Sequence, residues 1–85
     1  MINITHAIKC KVVNQEDREY KPVPSPIRPT SFMLELCPEG TGYVFQSRHV
    51  ARSAIHHTIE YRENNGEKYD KSWLEDYIVF NVERR

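Results

Sequence analysis

The stretch from Ser47 to Asn64 most constrains the fold of this chain, because its apolar residues recur at steps of three and four. This spacing places them on one side of a helix with 3.6 residues per turn. Ser47 can cap the first turn with its hydroxyl, and the sequence Asn64-Asn65-Gly66 suits the left-handed backbone that ends many helices. The predicted buried face comprises Val50, Ala51, Ala54, Ile55, Thr58 and Ile59. The predicted polar face comprises His49, Arg52, Ser53, His56, Glu60 and Glu63.

Four other segments have the alternating pattern or the β-branched content of strands. They are Asn3–Asn14, Thr30–Cys37, Tyr43–Gln46 and Tyr77–Glu83. We expect Pro38 to Gly42 to form a hairpin loop, since glycine permits the positive φ of tight turns. The sequence therefore predicts a single α+β domain over residues 1–85, with a mostly antiparallel sheet of about four strands in the order β-β-β-α-β. The amphipathic helix is expected to cover one face of that sheet.

The segment from Tyr20 to Pro29 is rich in proline. Its prolines are Pro22, Pro24, Pro26 and Pro29. Each lacks an N–H and fixes φ, so we expect neither a helix nor a central strand here. An extended surface connector is the favoured interpretation. A proline ligand for the aromatic groove of another protein is the alternative.

Composition and local pattern argue against several classes of protein. The formal net charge is zero, whereas a strongly electrostatic nucleic-acid binder usually has a basic excess. The sequence has neither a long apolar run nor the basic and apolar blocks of a signal peptide, so we expect a cytoplasmic protein without a membrane span. Cys10 and Cys37 form no C-x-x-C motif. They are expected to be reduced core thiols, with a cross-strand disulfide as the alternative.

The direction of charge along the predicted helix is unusual. Arg48, His49 and Arg52 occupy its first turns, and Glu60 and Glu63 its last. A helix prefers the opposite arrangement, because its N-terminus carries partial positive charge. One hypothesis is an anion site that receives a phosphate or a partner's carboxylates. The alternative is that the arginines pair with acids elsewhere in the fold.

Two acids are candidates for that pairing, Glu35 and Glu75. The histidines of the helix also suggest a metal site, but its spacing offers only the pair His56 and Glu60 on one face, and no H-E-x-x-H motif occurs. No nucleophile motif, P-loop or glycine-rich dinucleotide turn is present. We therefore expect no metal, no cofactor and no catalytic residues.

The segment from Glu67 to Tyr77 mixes aromatic and charged residues. A short helical turn capped by Asp70 or Ser72 would place Tyr69, Trp73 and Tyr77 at four-residue spacing on one side. Aromatic residues with a polar rim are common in binding hot spots, so the favoured interpretation of Trp73 is an exposed interface residue. The alternative is that Trp73 covers one end of the hydrophobic core.

These patterns together favour a small non-enzymatic protein-binding module, an inhibitor or modulator of a larger protein or complex. The predicted partner-binding residues are Arg48, His49, Arg52, His56, Tyr69, Trp73 and Tyr77. In size and layout the chain is similar to many phage and mobile-element accessory proteins, which implies a host defence or nucleic-acid-processing complex as one kind of partner. The alternative function is nucleic-acid binding through the arginine and histidine face of the helix. The sequence does not predict an oligomeric state.

Overall fold

The computed structural model describes residues 9–38, 40–70 and 72–82, with the backbone alone at positions 74 and 75. Its elements are β1 (Cys10–Val13), β2 (Tyr20–Ser25), β3 (Arg28–Leu36), α1 (Arg48–Asn64), α2 (Ser72–Glu75) and β4 (Ile78–Asn81). The α+β class, the antiparallel pairing and the predicted order of strands around the long helix are confirmed. The sheet, however, is split into two pairs, β1 with β4 and β2 with β3.

Helix α1 has the ends that the sequence predicts. The Ser47 hydroxyl accepts a hydrogen bond from the N–H of Val50 at 3.3 Å. At the other end Gly66 has φ of 95°, and the N–H groups of Gly66 and Glu67 donate to the carbonyls of Glu63 and Arg62. Both bonds belong to the Schellman motif, which satisfies carbonyls left over in the last turn.

Five of the six residues predicted to face the core are buried in α1. They are Ala51, Ala54, Ile55, Thr58 and Ile59. The prediction is wrong for Val50, whose side chain is 47% exposed. Val50 lies at the margin of the apolar arc of the helix, where burial depends on whether another segment of the fold packs against that position.

The proline-rich segment contains strand β2, which corrects the expectation of a surface connector. Because β2 belongs to a two-stranded pair, the expectation that the segment forms neither a helix nor a central strand is confirmed. Pro22 and Pro24 lie opposite Leu34 and Phe32 in the β2–β3 hairpin. The carbonyl of Tyr20, two residues before Pro22, faces away from β3 and accepts from the N–H of Tyr43 at 3.2 Å. Hydrogen-bonding groups alternate between the two edges of a strand, so both proline nitrogens face that same outer edge. The prolines therefore remove no hydrogen bond from the pairing with β3.

The predicted strand Tyr43–Gln46 is wrong. Only Phe45 pairs, through an isolated bridge in which it exchanges backbone hydrogen bonds of 3.1 and 2.7 Å with Cys10. The described residues of the predicted hairpin loop, Pro38 and 40–42, consequently belong to a connection, and the hairpin turn lies at Pro26-Ile27. Strand β1 covers the end of the predicted first strand, and the earlier residues 3–8 of that prediction lie outside the described residues.

The hydrophobic core lies between α1, β1 and β3, and Phe45 and Trp73 complete it. Both cysteines are buried with free thiols, as predicted. Burial raises the pKa of the Cys10 thiol, and the positive charge of Arg48 offsets part of that rise. Among the described residues no helix is long and apolar enough to cross a membrane.

Candidate functional site

Two hollows flank α1, one on each side of its buried face. The first, which we call the apolar groove, lies between α1 and the β2–β3 hairpin and encloses about 510 Å³. Its apolar walls come from the hairpin, from the segment after β3 and from one flank of the helix. They include Pro22, Phe32, Tyr43, Phe45, Val50 and Ala54, and the polar residues His49, Ser53 and His57 line the helical side.

Three large apolar side chains of this groove remain open to water. Phe32 is 54% exposed, Tyr43 45% and Val50 47%, and each comes from a different segment of the chain. Tyr43 is held in place by the buried Phe45, whose ring it meets edge-on with 4.9 Å between centroids. The groove therefore presents apolar side chains beside the buried ring of Phe45 and leaves them accessible to a ligand.

The second hollow, which we call the arginine hollow, lies between α1 and β4 and encloses about 350 Å³. It is lined by Arg48, Arg52, Ile55, His56, Tyr77 and Val79. Positions 48, 52 and 56 recur every four residues, so they follow one flank of the helix. The structure thus brings together four of the predicted partner-binding residues, whereas His49 lies on the opposite flank in the apolar groove.

The two arginines of this hollow differ from Arg28 and Arg62, which pair with acids, while Arg18 donates to the carbonyl of Cys37. Arg28 makes a bidentate pair with Glu60 at 2.7 and 2.9 Å, and Arg62 pairs with two acids at 3.2 and 3.3 Å. Arg48 instead donates to the Oδ1 of Asn81 at 3.5 Å. Among the described side chains no acid pairs with Arg48 or Arg52.

The alternative of internal ion pairs therefore fails for Glu35, whose side chain is described and pairs with neither arginine. The side chain of Glu75 lies outside the described residues. The helix has no acid in its first turn, so the positive charge at this end is not balanced locally.

The expectation that Trp73 is exposed is wrong. Its side chain is 9% exposed and belongs to the core. The guanidinium of Arg62 lies over the indole with its Cζ 4.1 Å from the ring centroid, and Tyr69 meets the indole edge-on at 5.6 Å. Trp73 therefore covers one end of the core, which was the alternative prediction. In this conformation it is not available as an interface residue.

The three aromatic residues of this segment also do not share one helical face. Helix α2 spans only Ser72–Glu75, so Tyr69 and Tyr77 lie outside it. Asp70 caps it as expected, with its Oδ1 accepting from the N–H of Ser72 at 2.9 Å. Tyr77 packs edge-on against Tyr20, and burial raises the pKa of its hydroxyl while a hydrogen bond from Arg62 opposes that rise.

Sequence reasoning missed the residues that form the apolar groove. Phe32 and Tyr43 fall in segments predicted as strands, and nothing in their local pattern shows that they remain exposed. For Val50 the sequence contains one indication of exposure, because this residue lies at the edge of the apolar arc of the helix. In the described part of the chain no three His, Cys, Asp or Glu side chains are close enough together to hold a metal ion.

Comparisons of the chain with protein-family models, with curated proteins and with solved structures find no significant match.

Proposed function

We propose that this protein is a small, non-enzymatic protein-binding module whose apolar groove receives an aromatic or branched apolar side chain of a larger cytoplasmic protein. One observation carries the proposal: Phe32, Tyr43 and Val50 converge from three segments on one hollow and are each about half exposed. A chain of 85 residues has little apolar surface to spare for its core. Leaving three large side chains exposed at one place is typical of an interaction site.

The surroundings of the groove resemble those of protein interfaces. Such interfaces combine an apolar, aromatic centre with a polar rim that stays in contact with water. Here the polar rim is formed by His49, Ser53 and His57 along the helix. The volume of about 510 Å³ is within the range of pockets that bury most of a small ligand, so one large side chain of a partner would fit.

The proposal extends to inhibition or modulation of the bound protein, the role of some small accessory proteins of phages and mobile elements. Its support is the small size of the domain and its layout. Nucleic-acid binding has weaker support, because Lys11 and Arg28 are already paired with Glu19 and Glu60. Steep loss of affinity with salt would favour nucleic acid, whereas an apolar groove would bind with little salt dependence.

A matched pair of phenylalanines tests the groove. Phe32 in the groove and Phe80 on β4 are 54% and 56% exposed, and Phe80 does not line the groove. Affinity-tagged wild-type, Phe32→Ala and Phe80→Ala proteins would be incubated with extract of the source cell, and captured proteins identified by mass spectrometry. Affinity for the purified partner would then be measured by calorimetry.

We expect Phe32→Ala to lose at least about 2 kcal/mol of binding free energy, the loss typical of a hot-spot residue, and Phe80→Ala to bind like the wild type. Both variants should melt within a few degrees of the wild type, because neither side chain is in the core. Equal binding by all three proteins would refute the groove as the interface. Loss of binding by Phe80→Ala alone would place the interface on β4.

A further inference from the structure

We infer that the arginine hollow is a binding site for carboxylate side chains of the partner protein. The inference rests on the proposed function in one respect, that the partner is a protein. It adds the chemistry of that partner: an acidic segment lying beside the apolar side chain that enters the groove. The observation behind it is a juxtaposition of Arg48, Arg52 and His56 along a hollow in which no described acid pairs with either arginine.

Arg48 and Arg52 lack the acidic partners that two other arginines of this fold have. Arg28 makes a bidentate pair with Glu60, and Arg62 pairs with two acids. At the start of α1, two guanidiniums instead add to the positive end of the helix dipole, an arrangement that is unfavourable without an anion. A bound carboxylate would accept charge-assisted hydrogen bonds from the planar guanidinium fork and would remove that repulsion.

The hollow also has apolar walls. Ile55 and Val79 are apolar, and the partly buried Tyr77 lies beside them. Apolar walls exclude water and strengthen an ion pair formed between them. The hollow, at about 350 Å³, suits one or two carboxylate side chains.

The charges elsewhere on the surface favour a carboxylate over a nucleic-acid backbone. A phosphodiester chain needs a track of several cations, and the chain as a whole is neutral. Lys11 is paired with Glu19, and Arg28 with Glu60, so these cations do not extend the hollow into a track.

The position of the two hollows sets the spacing in the partner. They lie on opposite flanks of α1, and a helix with its side chains is about 10–12 Å across. An extended chain covers about 3.3 Å per residue. A partner segment that crosses the helix would therefore carry its acidic residue about four residues from its apolar residue.

The test uses the full chain labelled with ¹⁵N and an acetylated tetra-glutamate peptide as probe, followed by NMR at the Nε–Hε groups of the arginines. The peptide has no apolar side chain, so its binding reports on the arginine hollow and not on the groove. We expect saturable shifts at Arg48 and Arg52, and about tenfold weaker binding in Arg52→Gln, since a charge-assisted hydrogen bond contributes about that factor. Arg28→Gln is the matched control and should bind the peptide like the wild type.

Three results would overturn the inference. They are an absence of saturable shifts, an equal loss of affinity in Arg28→Gln, and tighter binding of octathymidylate than of tetra-glutamate at the same salt concentration. The last would assign the hollow to phosphodiester binding. Val50→Ser, a change in the groove alone, should leave tetra-glutamate affinity unchanged. Failure of the groove experiment with Phe32→Ala and failure of this one are therefore distinguishable.

Discussion

Replacing Thr58 by valine tests how the long helix is joined to the hairpin. Thr58 is 5% exposed, and its Oγ1 accepts a hydrogen bond from the N–H of Leu34 at 2.8 Å. The same hydroxyl donates to the carbonyl of Ala54 at 2.7 Å. Leu34 lies opposite Pro22, and its N–H points away from β2, so the hydroxyl of Thr58 takes the place of an acceptor in a neighbouring strand.

Two opposing effects decide the stability of Thr58→Val. Valine has nearly the same shape as threonine, and exchanging a buried hydroxyl for a methyl would by itself stabilise the fold by about 1 kcal/mol. The substitution also leaves the N–H of Leu34 buried without an acceptor, which costs about 1–3 kcal/mol. The carbonyl of Ala54 keeps its helical partner, the N–H of residue 58. We therefore expect Thr58→Val to lower the free energy of unfolding by about 1 kcal/mol.

Urea denaturation of wild type, Thr58→Val and Thr58→Ser measures this. The serine variant keeps the hydroxyl and loses one methyl group. Its Leu34 amide should therefore exchange no faster than the amides of the neighbouring residues in β3. In Thr58→Val that amide should exchange faster than its neighbours in β3, because its acceptor is gone. A valine variant as stable as the wild type or more stable, with Leu34 still protected, would refute the role assigned to the hydroxyl.

Three further predictions concern the core. Ile55→Ala should lower the free energy of unfolding by about 2–4 kcal/mol, because it opens a cavity under the helix. His56 is exposed, so His56→Ala should change that free energy by less than about 0.5 kcal/mol, and equal denaturant midpoints for the two variants would contradict this. Cys10 and Cys37 should react slowly with a thiol reagent in the native protein and rapidly in urea, and equal rates would show that they are accessible. Trp73 should fluoresce at short wavelength and resist quenching by iodide, and strong quenching would show that the side chain is exposed. Trp73→Ala should lower the free energy of unfolding by about 3–5 kcal/mol, enough to unfold so small a domain.

The helix could be predicted in detail because its determinants are local. The cap at Ser47, the stop at Gly66 and the apolar spacing between them each depend on residues within a few positions. The burial of Trp73 could not be predicted in the same way. It depends on Arg62, eleven positions earlier, whose guanidinium covers the indole while its charge is balanced by Glu67 and Asp76.

The prolines of β2 do not prevent pairing, because the effect of a proline depends on the strand edge that its nitrogen faces. A single proline on the inner edge would have broken the pairing with β3. Pro22 and Pro24 are two residues apart, so both face the outer edge, where their missing N–H groups affect no bond to β3. Prolines at alternate positions beside valine or tyrosine are thus compatible with a paired strand, and the sequence Tyr20-Lys21-Pro22-Val23-Pro24 is an example.

The candidate site was predicted in part, and for a physical reason. The arginine hollow draws Arg48, Arg52 and His56 from one helix at four-residue spacing, a pattern that is visible in the sequence. The apolar groove takes Phe32 and Tyr43 from segments that meet the helix only through the tertiary fold. Local patterning indicates that such residues are apolar, but their exposure depends on how far the hairpin and the helix lie apart.

Helix α1 contributes to three surfaces at once, the core and the two hollows, through different rows of its residues. Ala51, Ile55 and Ile59 follow one row in the core, whereas Arg48 and Arg52 follow the row that borders the arginine hollow. The row through Val50 and Ala54 borders the apolar groove. Substitution of an exposed residue, Val50 in the groove or Arg48 or Arg52 in the hollow, should therefore change one binding surface and leave the fold intact. A cavity in the central row should weaken both surfaces together, because each depends on the position of the same helix.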